Sequence, residues 1–142
     1  MNAQADGPED ARAVTTVFIV EDEVLIAMEL EDHLTEQGYH VLGTAMHGEQ
    51  AIPAILATRP DVVVMDIHLA GKLNGIETAA AIAERADIPI IFLSAFSDAE
   101  LLKKAREVQP FGYIIKPFEP RELHATIQMA LYKHRMERAL RD

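Results

Sequence analysis

The chain has 142 residues, of which 49% are apolar and 25% charged, a composition typical of one globular domain. Its formal net charge of −10 argues against binding nucleic acid, which favours basic surfaces, and against docking on an anionic membrane. The absence of cysteine excludes disulfides, thiolate metal sites and cysteine nucleophiles. No apolar run approaches the ~20 residues of a membrane span, and the polar start does not resemble a signal peptide, so we expect a cytoplasmic protein.

Short apolar runs alternate with segments of helical spacing after a small, polar segment at residues 1–15, which we predict to be a disordered leader. The runs are rich in β-branched residues and do not alternate with polar ones, which is typical of strands buried on both faces. They predict strands at residues 17–20, 41–45 (the weakest), 62–65, 90–93 and 112–115. We interpret Met28, Met46 and Met65 as core or near-core residues.

Helices are predicted at residues 24–37, 48–58, 75–85, 98–108 and 120–141. The first stops before Gly38, a favourable C-terminal residue, and the second has Pro53 near its first turn. The fourth follows Ser97, which can act as an N-cap. This alternation of strand and helix, five times over, predicts an α/β fold in which helices cover both faces of a doubly wound, five-stranded parallel sheet.

Polar side chains follow four of the predicted strands, at the edge where open α/β sheets bind ligands. In chain order they are Glu21, Asp22 and Glu23, then Asp66, Ser94 and Lys116. Crowded carboxylates favour a divalent cation, and Mg²⁺ prefers oxygen ligands that it shares with a phosphate. A lysine and a hydroxyl can contact phosphoryl oxygens, and an aspartate can act as the nucleophile. The edge therefore holds the parts that phosphoryl transfer needs.

These residues resemble the receiver domain of bacterial two-component response regulators, a CheY-like family. The resemblance spans about residues 16–134 and depends on five motifs in order, at 20–23, 65–66, 74–75, 93–95 and 113–118. It implies a flavodoxin-like sheet in the order 2-1-3-4-5. On this reading, 16–134 is the receiver domain, and 135–142 extends the last helix.

The resemblance also implies a role for each matching position. The implied residues are the phosphoacceptor Asp66; the Mg²⁺ ligands Glu21, Asp22, Asp66 and the backbone carbonyl of His68; the phosphoryl contacts Ser94 and Lys116; and the aromatic switch Tyr113, which responds to Ser94. The Lys116–Pro117 bond is typically cis in the family. We expect the His68 side chain to be exposed near the site rather than to bind metal.

The segment after Asp66 departs from the family pattern. Ala70 stands where the family often has proline, and Gly75 lies nine residues after Asp66 rather than the usual eight. We therefore expect the loop at 70–73 to carry one extra residue and to follow a different path.

The function that the resemblance implies is a stand-alone phosphorylation switch. A sensor histidine kinase or histidine phosphotransfer protein would phosphorylate Asp66, and a downstream protein would bind the face of the fourth helix, fifth strand and last helix. The chain would catalyse only its own phosphorylation and dephosphorylation, so we do not expect an enzyme acting on external substrates. Two alternatives stay open: a fragment of a longer regulator with the last helix as linker, and a receiver-like binding module that works without phosphorylation.

Two other classes fit the sequence less well. An aspartyl-phosphate hydrolase needs a second aspartate two residues after the nucleophile, where this chain has His68. A flavin-binding module needs a phosphate-cradling loop after the first strand, but the acidic residues at 21–23 would repel phosphate.

The last predicted helix carries two apolar stripes. Leu123, Ile127, Ala130 and Leu131 would dock on the sheet, whereas the second stripe consists of Met129, Tyr132, Met136 and Leu140. The terminal segment 132–142 is basic, unlike the rest of the chain. It is either a solvated tail or linker, or a face for a homodimer or another partner. The face of the fourth helix, fifth strand and last helix is the other surface that could form a homodimer.

Overall fold

The computed structural model describes residues 14–95, 103–104, 106 and 110–141. Its strands are β1 (Thr16–Val20), β2 (His40–Ala45), β3 (Val62–Asp66), β4 (Ile90–Ser94) and β5 (Gly112–Ile115). Its helices are α1 (Val24–Glu36), α2 (Gly48–Thr58), α3 (Gly75–Ala83) and the C-terminal helix (Pro120–Arg141). All strand pairs are parallel, and the order is β2-β1-β3-β4-β5. This confirms the predicted fold class and strand order.

The predicted boundaries need two corrections. Helix α3 ends at Ala83, two residues before the predicted end, and Pro53 lies inside α2 beyond its first turn. The predicted leader at 1–15 and helix at 98–108 fall largely outside the described residues, although Lys103 and Lys104 are helical and exposed. No helix in the described ranges is long and apolar enough to cross a membrane.

The sheet has a hydrophobic core on each face because successive strand residues point to opposite sides. Val17 and Ile19 of β1 pack in a cluster with residues of α1 and the C-terminal helix. Phe18 and Val20 pack in the other cluster, with residues of α2 and α3. Burial on both faces explains why the strands are continuous apolar runs.

Two of the three methionine predictions are wrong. Met65 is fully buried in β3, but Met28 is 56% exposed and Met46 is 44% exposed. Leu30 and Leu34 define the buried side of α1, so Met28 lies on the solvent side of that helix. Met46 lies just beyond the end of β2, outside the core.

The C-terminal helix docks on the sheet through its first stripe, as predicted. Leu123, Ile127 and Ala130 are buried, and Leu131 packs against the same cluster. The buried Tyr39 adds polar contacts to this helix. Its hydroxyl accepts a hydrogen bond from Gln128 Nε2 (2.8 Å) and lies 2.9 Å from His124 Nδ1.

The last turns of this helix pack back on the domain through Asp87, in the segment before β4. His134 Nε2 lies 3.1 Å from Asp87 Oδ1, and Arg141 Nη2 donates to Asp87 Oδ2 at 2.6 Å. The Phe111 ring also meets the His134 ring edge-on, at 5.5 Å between centroids. The helix is therefore fixed to the domain as far as its final residue.

Candidate functional site

Three carboxylates meet at the carboxyl edge of the central strands. β1 and β3 are neighbours in which Val20 pairs with Met65, so the residues that follow, Glu21 and Asp66, lie side by side. One carboxylate oxygen each from Glu21, Asp22 and Asp66 lies within 4.8 Å of the others. The structure thus brings together the three acidic side chains that the sequence predicts as metal ligands.

The ammonium group of Lys116 pairs with two of these carboxylates. Its Nζ lies 3.1 Å from Glu21 Oε1 and 3.2 Å from Asp66 Oδ2. The Lys116 backbone amide donates to the Ser94 carbonyl (2.8 Å), which holds the end of β5 against β4. The Lys116–Pro117 bond is cis, as the resemblance implies. From this position the side chain reaches across the end of β4 to the acidic group.

Glu21 is the most strongly perturbed group of the site. Burial of its side chain, with the nearby negative charge of Asp66, raises the pKa of Glu21 to about 8. The Glu23 amide, which donates to Glu21 Oε2 (3.1 Å), and Lys116 oppose this rise. Glu21 Oε1 is buried, and its charged neighbour is the Lys116 ammonium at 3.1 Å. A further cation at this oxygen would compensate its burial.

Lys116 keeps its charge in this setting. Burial by itself lowers the pKa of a lysine, but the carboxylates of Asp66 and Glu21 outweigh that effect and the pKa of Lys116 is raised. The ammonium is therefore available both to neutralise the acidic cluster and to contact an added anion.

The backbone after β3 donates hydrogen bonds to two of the carboxylates. The His68 amide donates to Asp66 Oδ1 (3.0 Å), and the Ala70 amide donates to Asp22 Oδ2 (3.2 Å). These contacts set the direction of both carboxylates and tie them to the loop that follows. The His68 side chain is exposed, as expected, and the metal-ligand role of its carbonyl stays a prediction.

The loop that was predicted to carry an extra residue contains Gly71 in the left-handed region, at φ 102°. It ends at Asn74, which caps α3. Asn74 Oδ1 accepts from the Glu77 amide (2.8 Å), and Glu77 Oε1 accepts from the Asn74 amide (2.9 Å). The sequence Asn-x-x-Glu could have revealed this capping box, which our sequence reasoning missed.

Gly75 lets the chain pass directly behind Asp66. Its amide donates to the Ile67 carbonyl (3.0 Å). A Cβ atom here would overlap the Asp66 carbonyl oxygen and lie 2.8 Å from Ile67 Cα. Only a glycine fits without moving the backbone that carries Asp66.

The two predicted switch residues lie on β4 and β5. Ser94 is fully buried, and its Oγ donates to the Ala95 carbonyl (3.0 Å) rather than to the acidic cluster. Tyr113 pairs with Phe92 across the strands, and its ring, 37% exposed, lies 6.3 Å from the Phe92 ring. Partial burial raises the pKa of the Tyr113 hydroxyl, and Arg106 opposes this. A switching role for these residues stays a prediction.

This fold and site are similar to those of one family of known proteins. Residues 17–128 match the response regulator receiver domain. The chain belongs to this family. The chain is 37% identical over 131 residues to the transcriptional regulatory protein PdtaR of Mycobacterium tuberculosis H37Rv, an alignment covering 92% of the chain and 63% of PdtaR. It is 33% identical over 123 residues to the phyllosphere-induced regulator PhyR of Methylorubrum extorquens, covering 86% of the chain and 45% of PhyR. The chain thus spans less than two thirds of these curated relatives.

A solved structure supports the same assignment. The signal receiver domain of a modulated diguanylate cyclase from Desulfovibrio desulfuricans G20 superimposes with a TM-score of 0.84 and 42% identity. The match covers 88% of the receiver chain and 99% of that domain.

Receiver domains are regulatory and generally bind Mg²⁺ at an acidic pocket, and the residues here suit that ion. The candidate metal ligands are carboxylate oxygens, which a hard cation prefers to sulfur or imidazole ligands. The buried Glu21 Oε1 already faces one cation, the Lys116 ammonium at 3.1 Å, which shows that positive charge suits this position.

Proposed function

We propose that this receiver is a phosphorylation switch in which Asp66 accepts a phosphoryl group from a sensor histidine kinase or histidine phosphotransfer protein. One observation carries the proposal: the Asp66 carboxylate lies within reach of the Lys116 ammonium and of the carboxylates of Glu21 and Asp22. This arrangement combines a nucleophile, a cation for phosphoryl oxygens and ligands for a metal. The receiver domain would span 16–134, with 135–142 as an extension, and would work in the cytoplasm with its donor.

In the transfer step, an Asp66 carboxylate oxygen attacks phosphorus while the P–N bond to the donor imidazole breaks. The bond electrons stay on the imidazole nitrogen, and Asp66 becomes an acyl phosphate. Lys116 Nζ and the Ser94 hydroxyl would contact the phosphoryl oxygens. Glu21, Asp22, Asp66 and the His68 carbonyl would hold Mg²⁺, whose charge, when bound, offsets that of the carboxylates and the phosphoryl group.

The conformational response to phosphorylation would begin at Lys116 and Ser94, whose present contacts compete with the phosphoryl group. Lys116 pairs with Glu21 and Asp66, and Ser94 Oγ donates to the Ala95 carbonyl. Phosphorylation offers both groups a stronger acceptor and so favours a state in which they turn toward Asp66. Tyr113, half-exposed on β5, is placed to follow Ser94 and to alter the face that binds a downstream protein.

A protein donor needs a surface beside the acceptor. The residues directly after the acidic segment are apolar and open: Val24 is 55% exposed, Leu25 80% and Met28 56%. An apolar helix face of the donor could pack on them and place its phosphohistidine at Asp66. These exposed side chains on the first two turns of α1 therefore support a protein donor.

The alternative of a receiver within a longer regulator has support of its own, since the chain spans less than two thirds of its curated relatives. The proposed chemistry at Asp66 is the same in either case. A binding module that works without phosphate is the competing function, and the experiment below separates it.

The test is the intact mass after incubation with acetyl phosphate and Mg²⁺. We expect one added phosphoryl group, which is lost in Asp66→Ala and after chelation. Asp87→Asn is the matched control, because that carboxylate lies in ion pairs away from the acidic cluster, and it should be phosphorylated like the wild type.

A beryllofluoride titration follows if no adduct forms. Beryllofluoride binding to the wild type but not to Asp66→Ala would mean that the site accepts only from its protein donor. A folded, Mg²⁺-binding protein that neither gains mass nor binds beryllofluoride would contradict the proposal and favour the binding module.

A further inference from the structure

The C-terminal helix has an apolar stripe on the side that faces away from the sheet. Its exposed fractions are 60% for Met129, 54% for Tyr132, 44% for Met136 and 87% for Leu140. These outer-stripe residues recur at steps of three and four, the spacing of a helix face that packs on another helix. The buried residues Leu123, Ile127 and Ala130 occupy the opposite side, so docking on the sheet leaves the outer stripe uncovered.

This outer stripe is held on a fixed helix rather than on a loose tail. Asp87 contacts both His134 and Arg141, and these contacts bracket Met136 and Leu140. The helix continues without interruption to Arg141. A partner would therefore meet a preorganised surface and would lose little entropy in ordering it.

The outer stripe lies among basic residues in a chain that is otherwise acidic. Lys133, Arg135 and Arg138 are exposed around the stripe against one exposed acid, Glu137, whereas the whole chain has a net charge of −10. A copy of the stripe packed against itself would bring these basic residues together, which is unfavourable. The charge instead favours a surface that is apolar and acidic.

Helix α1 presents such a surface. It contains no lysine or arginine, and its exposed residues include Glu29, Asp32 and Glu36 beside the open apolar side chains of Leu25 and Met28. We call the exposed residues Leu25, Met28, Glu29, Asp32 and Glu36 the acidic face. Its charge is opposite to that around the outer stripe, and both surfaces have apolar residues to bury.

The two helices lie next to one another in the fold. Gln37 Nε2, just after α1, donates to the Pro120 carbonyl at the start of the C-terminal helix (2.7 Å). The His33 ring also meets the Phe118 ring edge-on, at 6.2 Å between centroids. Both helices pack on the same face of the sheet, in the cluster that contains Leu30 and Ile127, so one copy presents both surfaces on that side, as a two-fold symmetric interface requires.

We propose that two copies of this chain associate reciprocally, the outer stripe of each packing on the acidic face of the other. Each interface contact is made twice in such a dimer, so a modest helix pair is doubled in area. The dimer would use neither the Asp66 site nor the face of β5. It would cover Leu25 and Met28, so a second copy and a protein donor would compete for this part of α1, and it would leave Val24 outside the contact.

The first test is the solution mass by sedimentation of the wild type. We expect a species of about twice 15.7 kDa at high micromolar concentration. Met136→Glu should raise the dimer dissociation constant about tenfold or more, because it places a charge in the apolar contact. Met46→Glu is the matched control, since both methionines are 44% exposed and Met46 lies outside both surfaces.

The second test separates the reciprocal contact from other contacts. One variant carries Glu29→Lys with Asp32→Lys, and the other carries Lys133→Glu with Arg135→Glu. Each should be a monomer alone, because its two surfaces then have like charge, and an equimolar mixture should form a heterodimer. Thermal melting of each variant checks folding, since Lys133 Nζ also lies 5.9 Å from the Phe111 ring centroid.

Three outcomes would overturn the proposal. The first is a wild type that stays monomeric up to ~1 mM, where even weak association becomes visible. The second is a dimer that persists when α1 carries Glu29→Lys with Asp32→Lys. That result would mean that the contact lies elsewhere or that the two outer stripes pack on each other. The third is two folded monomeric variants that do not associate on mixing.

Discussion

Gly75 is the residue at which a single methyl group should matter most. Because a Cβ there would overlap the Asp66 carbonyl, Gly75→Ala must shift the backbone, and we expect it to reduce the free energy of unfolding by about 1–3 kcal/mol. Urea unfolding measures this. Gly38→Ala is the control, since Gly38 has φ 94° with nothing within 4 Å of a Cβ and should cost about 1 kcal/mol through backbone strain alone. Equal losses in the two variants would argue against the crowding behind Asp66.

Glu21 should make the stability of the metal-free protein depend on pH. Its pKa is raised from 4.5 to about 8, so between these values the folded chain binds a proton that the unfolded chain releases. The free energy of unfolding should therefore fall as the pH rises through this window, by at most about 5 kcal/mol at about 1.4 kcal/mol per pH unit. Lys116 does not contribute there, because its raised pKa keeps it charged in both states.

Glu21→Gln removes the titration while keeping the shape of the side chain. We expect its unfolding free energy, measured in urea with EDTA at about pH 5 and about pH 8, to change less with pH than that of the wild type. The same slope in both proteins would assign the pH dependence to other groups.

The sequence predicts which residues belong to the site better than how they interact. Glu21, Asp66 and Lys116 could be recognised because each follows an apolar run, and parallel strands end at one edge. The complete burial of Glu21 and its ion pair with Lys116 could not be recognised from the sequence. That contact depends on how a lysine at the end of an edge strand extends past β4. The Asn74 capping box was visible in the sequence but was missed.

The local stability of the last turns of the C-terminal helix should depend on Asp87. Asp87→Asn weakens the contacts to His134 and Arg141, and we expect the last turns to open more readily, by roughly 0.5–1 kcal/mol for such a partly exposed cluster. Amide hydrogen exchange at residues 134–141 measures this. Asp61→Asn is the control, because Asp61 binds the backbone of Thr16 and should leave that exchange unchanged.

Local sequence patterns predict most strand and helix bounds, and the exceptions have physical causes. The strands were predicted to within one residue at each end. The pattern is clearest for β1, β3 and β4, whose apolar runs are buried on both faces, whereas the edge strands β2 and β5 are more open. Helix α3 ends earlier than its alanine-rich composition suggests, since the chain must turn toward β4. The Asp87 contacts join a short connection to a helix end more than 45 residues away, and no local pattern encodes them.

For the molecule as a whole, Mg²⁺ should act as a stabilising ligand. A ligand that binds only the folded state raises the unfolding free energy by about 1.4 kcal/mol for each tenfold rise in concentration above its dissociation constant. We expect the melting temperature to rise with Mg²⁺ in the wild type and to respond weakly in Asp22→Asn. Asp32→Asn is the control, as its exposed carboxylate lies on α1 outside the cluster, and it should respond like the wild type. A similar response in all three would mean that Mg²⁺ binds elsewhere.

The placement of the tyrosines has a practical consequence for spectroscopy. The chain has no tryptophan and three tyrosines, so its ultraviolet emission comes from tyrosine alone. Tyr39 is buried, Tyr113 is 37% exposed beside Phe92, and Tyr132 is 54% exposed on the outer stripe. Single Phe replacements would assign the fluorescence to each position. One unlabelled protein would then report separately on its interior, on strand β5 near the acidic cluster and on the helix face where a second copy would bind.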